Sequence, residues 1–293
     1  MQLSEKIKEL TLDRTNGASQ LARKALEVLE FFAKTSKNKT YKGFMEDFRD
    51  IGRRLVEARP NMAPVHNLVA QTIYEVNSLK EEELVTVRKF AVSRIDELCR
   101  KSENSVKQAA EYGAKFVANK CFIASCSFSS TVCEAFNFAK QQGKCFKVFV
   151  AESRNENEKI SYGQKLAEFL ESIKVPVKVF SDNEIYRYVP RMEFVLVGAD
   201  SIVCDGSIIN GTPTYEIAVK AREHNVPLYS ICETLKMNVL SCLGRTVELK
   251  KGFDLVPSNL VTGIITEQGV LDATKIAEIV EERTKFFEIF NIS

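Results

Sequence analysis

The chain has 293 residues, 45% hydrophobic, 27% charged and 9% aromatic. That is the make-up of a globular protein with a full core, and it excludes a disordered, collagen-like or disulfide-scaffold chain. The 41 basic and 39 acidic side chains leave a formal net charge of +2, so no strong single-sign field exists to capture nucleic acid or an anionic membrane, and no direct sequence-specific nucleic-acid partner is expected.

No apolar run approaches the ~18 residues of a membrane span. The opening MQLSEKIKELTLDR lacks the apolar centre of a secretory signal. A cytoplasmic location and no membrane partner are expected.

Residues 1–118 carry helical periodicity. Leu21, Ala25, Leu29 and Phe32 recur at spacings of four and three, as do Phe44, Phe48, Ile51 and Leu55. Val65, Leu68, Val69, Ile73 and Val76 form a third stripe. A longer one over 82–117 carries Leu84, Val87, Ala91, Ile95, Leu98 and Val106. Each is an apolar face on a charged helix, so a helical domain is expected here.

From Lys120 the pattern alternates. Short apolar runs appear at CFIAS, CFKVFVAE, VPVKVFS, EFVLVGAD, VPLYSIC and LVTGIIT, separated by helical stretches at 130–142, 161–173, 214–224 and 272–290. Near-continuous apolar strands alternating with helices imply a parallel sheet covered on both faces. The expected fold class is α/β, with the helical domain followed over 119–293 by a Rossmann-like, doubly wound domain.

Eight cysteines (99, 121, 126, 133, 145, 204, 232 and 242) include no CxxC pair, and His66 and His224 are the sole histidines. No metal site of ordinary spacing is expected, and no cofactor motif is present. Most of the cysteines sit in apolar runs and read as reduced, small core residues.

In such a sheet, ligands bind at the carboxyl ends of strands, where helix N-termini offer free amides. The first strand ends in Ser125-Cys126-Ser127-Phe128-Ser129-Ser130-Thr131. These hydroxyls either cap the next helix or hold a phosphate. Cys126 is a candidate acid or nucleophile if the helix N-terminus activates its thiol. The second strand ends in Glu152-Ser153-Arg154, a surface ion pair or an arginine fork for phosphate oxygens. The fourth delivers Gly198-Ala199-Asp200, and a carboxylate at a buried strand end is costly unless paired or used.

Asp205-Gly206 then signals a hairpin turn, and Asn210-Gly211-Thr212-Pro213-Thr214 leads into a helix. Neither GxGxxG nor a Walker A motif occurs. The fifth strand ends in Cys232-Glu233-Thr234-Leu235-Lys236, which brings a lysine to the same edge. In the helical half, Arg14-Thr15-Asn16-Gly17-Ala18-Ser19 opens one helix, and the segment 58–64 (Ala-Arg-Pro-Asn-Met-Ala-Pro) separates two others. Either is plain turn chemistry or lends cations and amides to a ligand.

At these segments the sequence resembles the initiation factor 2B alpha/beta/delta family, which includes methylthioribose-1-phosphate and ribose-1,5-bisphosphate isomerases. The matching pieces are DRTNGASQLARKA, EARPNMAPVHNLV, SCSFSSTVCEA, VFVAESR, VGADSIVCDGSIIN, VPLYSICETLK and FDLVPSNLVTGIITEQGV, in family order over nearly the whole chain. The resemblance implies a sugar-phosphate or nucleoside-monophosphate pocket between the domains, and a homodimer formed through the Rossmann-like domain. It also implies partners among initiation factor 2B-type subunits or initiation factor 2.

It further implies that Asn16, Gly17, Arg59, Ser127, Ser129, Ser130, Thr131, Arg154, Asn210 and Lys236 line the ligand and that Asp200 matches the isomerases' catalytic aspartate. Alignment places the isomerases' cysteine at Ser127, and Cys126 falls where they have histidine. A one-residue offset on a strand reverses a side chain's direction. The cations those enzymes carry at positions 16 and 211 are Asn16 and Gly211 here. The Ser-Phe-Ser-Ser-Thr-Val segment looks more alpha-like. A regulatory, alpha-subunit-like protein is therefore expected. The alternative is an aldose–ketose isomerase using Asp200 and Cys126 on a sugar phosphate.

Overall fold

A computed structural model describes residues 3–13, 15–80, 82–155, 160–244 and 249–290. The apolar stripes of the first half become helices: α1 (Leu3–Leu12), α2 (Ala18–Thr35), α3 (Tyr41–Ala58), α4 (Ala63–Asn77) and the long α5 (Leu84–Phe116). Their starts follow local chemistry. The Gly17 N–H donates to Gln20 Oε1 ahead of α2, Thr40 Oγ1 accepts from Gly43 N–H ahead of α3, and Pro64 occupies the first turn of α4.

Then follow β1 (Cys121–Ser125), α6 (Ser130–Gln141), β2 (Phe146–Ala151), the short pair β3 (Arg154–Asn155) and β4 (Ile160–Ser161), α7 (Tyr162–Ser172), β5 (Val177–Phe180) and α8 (Ile185–Tyr188). After these come β6 (Phe194–Val197), β7 (Ser201–Ile202), β8 (Ile208–Gly211), α9 (Thr214–Glu223), β9 (Leu228–Ile231) and α10 (Val239–Cys242). The last are β10 (Phe253–Val256), β11 (Gly263–Thr266), β12 (Gly269–Leu271) and α11 (Ala273–Phe287).

The chain forms two compact units. One comprises Met1–Asn104, Met237–Glu248 and Glu278–Ser293, and the other Ser105–Lys236 and Leu249–Ala277. In the first, Leu21, Leu26, Leu29, Phe44, Phe48, Leu55, Leu68 and Ile73 are buried. Phe32, Phe44 and Phe48 stack with ring centroids 5.4 to 6.0 Å apart, joining α2 to α3.

In the second unit a seven-stranded sheet runs in the order β12-β11-β9-β6-β1-β2-β5. It is parallel except for β12, which returns antiparallel beside β11. Ile123, Val148, Val150 and Leu196 of the central strands pack with Val132 and Phe136 of α6 and Leu166 and Leu170 of α7. The α/β expectation holds.

Three features differ from the sequence reading. Helix α1 was not foreseen, because Ile7 and Leu10 are its only buried residues. β12 is too short to show alternation. The Asp205-Gly206 turn does join two antiparallel strands, with Gly206 at φ +84°, but β7 and β8 belong to a separate three-stranded sheet completed by the distant β10.

Cys99, Cys121, Cys126, Cys133, Cys145 and Cys232 are free thiols. Cys204 and Cys242 are each disulfide-bonded and are exceptions to the expectation that most of the cysteines are reduced. Among the described residues no helix is long and apolar enough to cross a membrane, and no cluster of His, Cys, Asp and Glu could hold a metal ion.

Candidate functional site

The carboxyl ends of β1, β2, β6, β8 and β9 deliver the candidate residues of the second unit. β1 finishes with Ser125, whose hydroxyl donates to the Leu196 carbonyl at 2.7 Å and ties β1 to β6. Cys126 continues the strand and turns inward. Its Sγ lies 3.2 Å from Thr214 Oγ1, and burial pushes the thiol up to about 12, with the Thr214 contact opposing. Such a sulfur is packed in the core, where burial disfavours its thiolate.

Ser127 follows in a left-handed conformation (φ +60°), its N–H donating to Ser153 Oγ at 2.7 Å. Ser129 is the N-cap of α6 and accepts from the Val132 N–H at 3.4 Å. Ser130 begins the helix half-buried. Thr131 is buried, and its hydroxyl has no hydrogen-bond partner among the described residues.

Two glycines open room for these serines. A Cβ on Gly198, just past β6, would stand 2.6 Å from both Cβ and Oγ of Ser129. A Cβ on Gly211, at the end of β8, would stand 2.5 Å from Ser127 Oγ. Closer packing than any side chain allows thus seats both hydroxyl residues on neighbouring strand tips. Any side chain at 211 would force Ser127 to shift. Asn210 is buried beside them, donating from Nδ2 to Thr214 Oγ1 at 2.9 Å, and Thr214 donates to the Gly211 carbonyl at 2.6 Å.

Asp200 and Lys236 form the charged part. The Asp200 N–H donates to the Ile209 carbonyl at 2.8 Å, fixing its place between β6 and β8. Lys236 is buried, with Nζ donating to the carbonyl of Ala199, the residue before Asp200. Desolvation pushes the Asp200 carboxyl above the ordinary aspartate range, Lys236 pulls it back, and Glu233 adds to the rise. Glu233, fully buried in the same turn, is a further charged neighbour, one that no local sequence pattern marks as part of a site.

Arg154, by contrast, is exposed. Its guanidinium lies 3.8 Å from the Glu152 carboxylate in an ion pair open to water, which contributes little to stability. Ser153 and Asp182 were missed. Nothing in a single sequence signals them, since their contacts exist only once β2 and β5 pair.

In the first unit, Asn16, Gly17 and Arg59 gather around one turn. Asn16 Nδ2 donates to Asp13 Oδ2 at 2.7 Å. The Arg59 guanidinium is buried and donates to the carbonyls of Leu10, at 3.0 and 2.5 Å, and Asp13, at 2.5 Å. Desolvation acting on the Asp13 carboxyl is outweighed by hydrogen bonds from Lys24, Thr15 and Asn16, which hold it well below the usual range. Arg14 lies outside the described residues.

Residues 14–251 match the Initiation factor 2 subunit family. The chain is 30% identical over 280 residues to a putative translation initiation factor eIF-2B subunit 2-like protein of Pyrococcus abyssi, covering 91% of this chain and 95% of that one. It is 27% identical over 307 residues to a ribose 1,5-bisphosphate isomerase of Pyrococcus furiosus, covering 96% and 93%. The crystal structure of a Pyrococcus horikoshii OT3 translation initiation factor eIF-2B superposes with a TM-score of 0.78 at 27% identity, over 92% of this chain and 96% of that one.

Proposed function

The chain belongs to the initiation factor 2 subunit family, and from that premise we propose that it is a regulatory, alpha-subunit-like member that binds a phosphorylated sugar or nucleoside monophosphate. The strand tips of the second unit supply the site. The observation that carries this reading is the seating of Ser127 and Ser129 against Gly198 and Gly211, at the N-terminus of α6, while the adjacent thiol of Cys126 is buried against Thr214. The arrangement has hydroxyls and helix-end amides for phosphate oxygens, and it lacks a sulfur able to exchange protons near neutral pH.

Thr131 supports the same reading. A buried hydroxyl left unpaired costs ~1–3 kcal/mol, a cost that a phosphate oxygen would relieve. Lys236 and the rim residue Arg154 supply positive charge, and Asp200 with Asn210 supplies hydrogen bonds to sugar hydroxyls. In this reading the protein acts as a homodimer in the cytoplasm, with initiation factor 2B-type subunits or initiation factor 2 as partners. An aldose–ketose isomerase is the weaker reading: among the described residues Asp200 has a raised carboxyl, which favours proton transfer, but the neighbouring Cys126 thiol is buried against Thr214.

Thermal unfolding with AMP, ribose 5-phosphate and ribose 1,5-bisphosphate tests the proposal. A bound compound at 100 times its Kd should add ~2.7 kcal/mol to stability. No shift with any of the three defeats ligand binding. Conversion of ribose 1,5-bisphosphate, seen by product analysis, replaces the regulatory reading with the enzymatic one.

A further inference from the structure

Two residues with ordinary side chains hold left-handed backbone at adjacent strand tips: Ser127 (φ +60°) past β1 and Ser153 (φ +49°) past β2. Such a conformation is unfavourable for a residue that carries a Cβ and persists only where its surroundings impose it. The sheet shows what imposes it. β2 and β5 run parallel with Ala151 opposite Phe180, so two residues further on Ser153 lies beside Asp182.

There the Asp182 carboxylate accepts from both backbone amides of the β2 tip: Oδ1 from Ser153 N–H at 2.8 Å, and Oδ2 from Arg154 N–H at 3.1 Å. The chain bent by that clamp turns Ser153 Oγ toward β1, where it accepts from the Ser127 N–H at 2.7 Å. Ser153 Oγ in turn donates to the Ala151 carbonyl at 3.3 Å, so the hydroxyl is fixed from both sides. Ser127 Oγ then comes to rest over Gly211.

We propose that Asp182 is a positioning residue of the site, which through Ser153 holds Ser127 in its left-handed turn and so sets the hydroxyl cradle on the tips of β1, β2 and β8. The description of that cradle as a phosphate site rests on the function proposed above. The relay itself does not. Asp182 touches no ligand in this scheme. It fixes the β2 tip with two charge-assisted hydrogen bonds, stronger than neutral ones, and Ser153 passes the constraint one strand inward. The same clamp places the Arg154 backbone, and with it the guanidinium, at the rim.

Residue-resolved amide hydrogen exchange on the full chain reads the relay without any ligand. In Ser153→Ala the Ser127 amide loses its acceptor, and its exchange should quicken roughly five- to ten-fold. Asp182→Ala should do the same by releasing Ser153. The Val148 amide, bonded to the Pro176 carbonyl within the sheet, should not change. The second readout is the Kd of AMP, expected to rise several-fold in both variants.

Ser153→Ala is the milder change and keeps the test open if Asp182→Ala does not fold. Ser127 exchange unmoved in Ser153→Ala, or quickened only in step with Val148, overturns the relay. Should the wild type ignore AMP while Ser127 exchange still responds, the ligand reading fails and the relay stands. Should AMP bind every variant alike with Ser127 exchange unmoved, the relay fails and the ligand reading stands.

Discussion

His66 is buried on α4 with its Nε2–H donating to the Arg59 carbonyl at 3.0 Å, and burial lowers its pKa to about 4 from 6.5, opposed by the Arg59 and Val56 backbone acting as acceptors for the ring. A depressed folded pKa means the folded state favours the neutral ring. The stability this confers is complete above pH 6.5 and is lost as pH falls through 4. The shift corresponds to roughly 3 kcal/mol. Urea titrations between pH 7 and 4 should therefore show the wild type losing about that much more than His66→Gln, which keeps a donor for Arg59 and cannot titrate. Superimposable pH profiles would remove His66 as the source. Cys126 gives a second prediction. Its buried thiol, pushed up to about 12, should resist iodoacetamide at pH 8 under native conditions, whereas the exposed Cys145 is alkylated. Rapid modification of Cys126 detected by mass spectrometry would restore it as a candidate acid.

At the scale of elements, α7 meets the sheet backbone directly. Gly163, in its first turn, has the Ala151 carbonyl oxygen of β2 where a Cβ would go, and its N–H donates to the Glu152 carbonyl at 3.0 Å. Backbone cannot yield as a side chain does, so Gly163→Ala should destabilise by ~3 kcal/mol, read as a lower urea midpoint at unchanged slope. A loss under 1 kcal/mol would mean that α7 shifts freely. The parallel strands showed themselves because burial on both faces makes continuous apolar runs, and the helix entry at Ser129 because capping is local chemistry. Hidden features were those made by distant chain. β10 joins β8 across more than forty residues, and Asp182 meets Ser153 only through the register of two strands. The offset between Cys126 and Ser127 was legible as a reversal of direction. That the thiol would face Thr214, and the serine Gly211, depended on a helix and a hairpin whose placement no local pattern encodes.

At the scale of the whole molecule, the two compact units allow the proposed ligand site to be mapped by where exchange slows. The second unit holds Ser127, Ser129, Ser130, Thr131, Arg154, Asp200, Asn210 and Lys236, and the first holds Asn16, Gly17 and Arg59. A ligand that binds the folded state lowers the population of locally opened forms of the segments it touches. Adding AMP to the full chain should therefore slow amide exchange over 126–133, 198–200 and 233–236. The edge strand β12, which carries none of these residues, should be unaffected. The residues of the first unit are the discriminating part. Arg59 already donates to the Leu10 and Asp13 carbonyls, and Asn16 to Asp13, so neither needs a ligand to be satisfied. If they do contact the phosphate, as the family resemblance implies, exchange should also slow at 15–17 and 59–62, and Arg59→Ala should weaken AMP. Slowing confined to the second unit, with AMP affinity unchanged in Arg59→Ala, would make that arginine a structural tie of the α1 and α3 ends and leave the strand tips as the whole of the site.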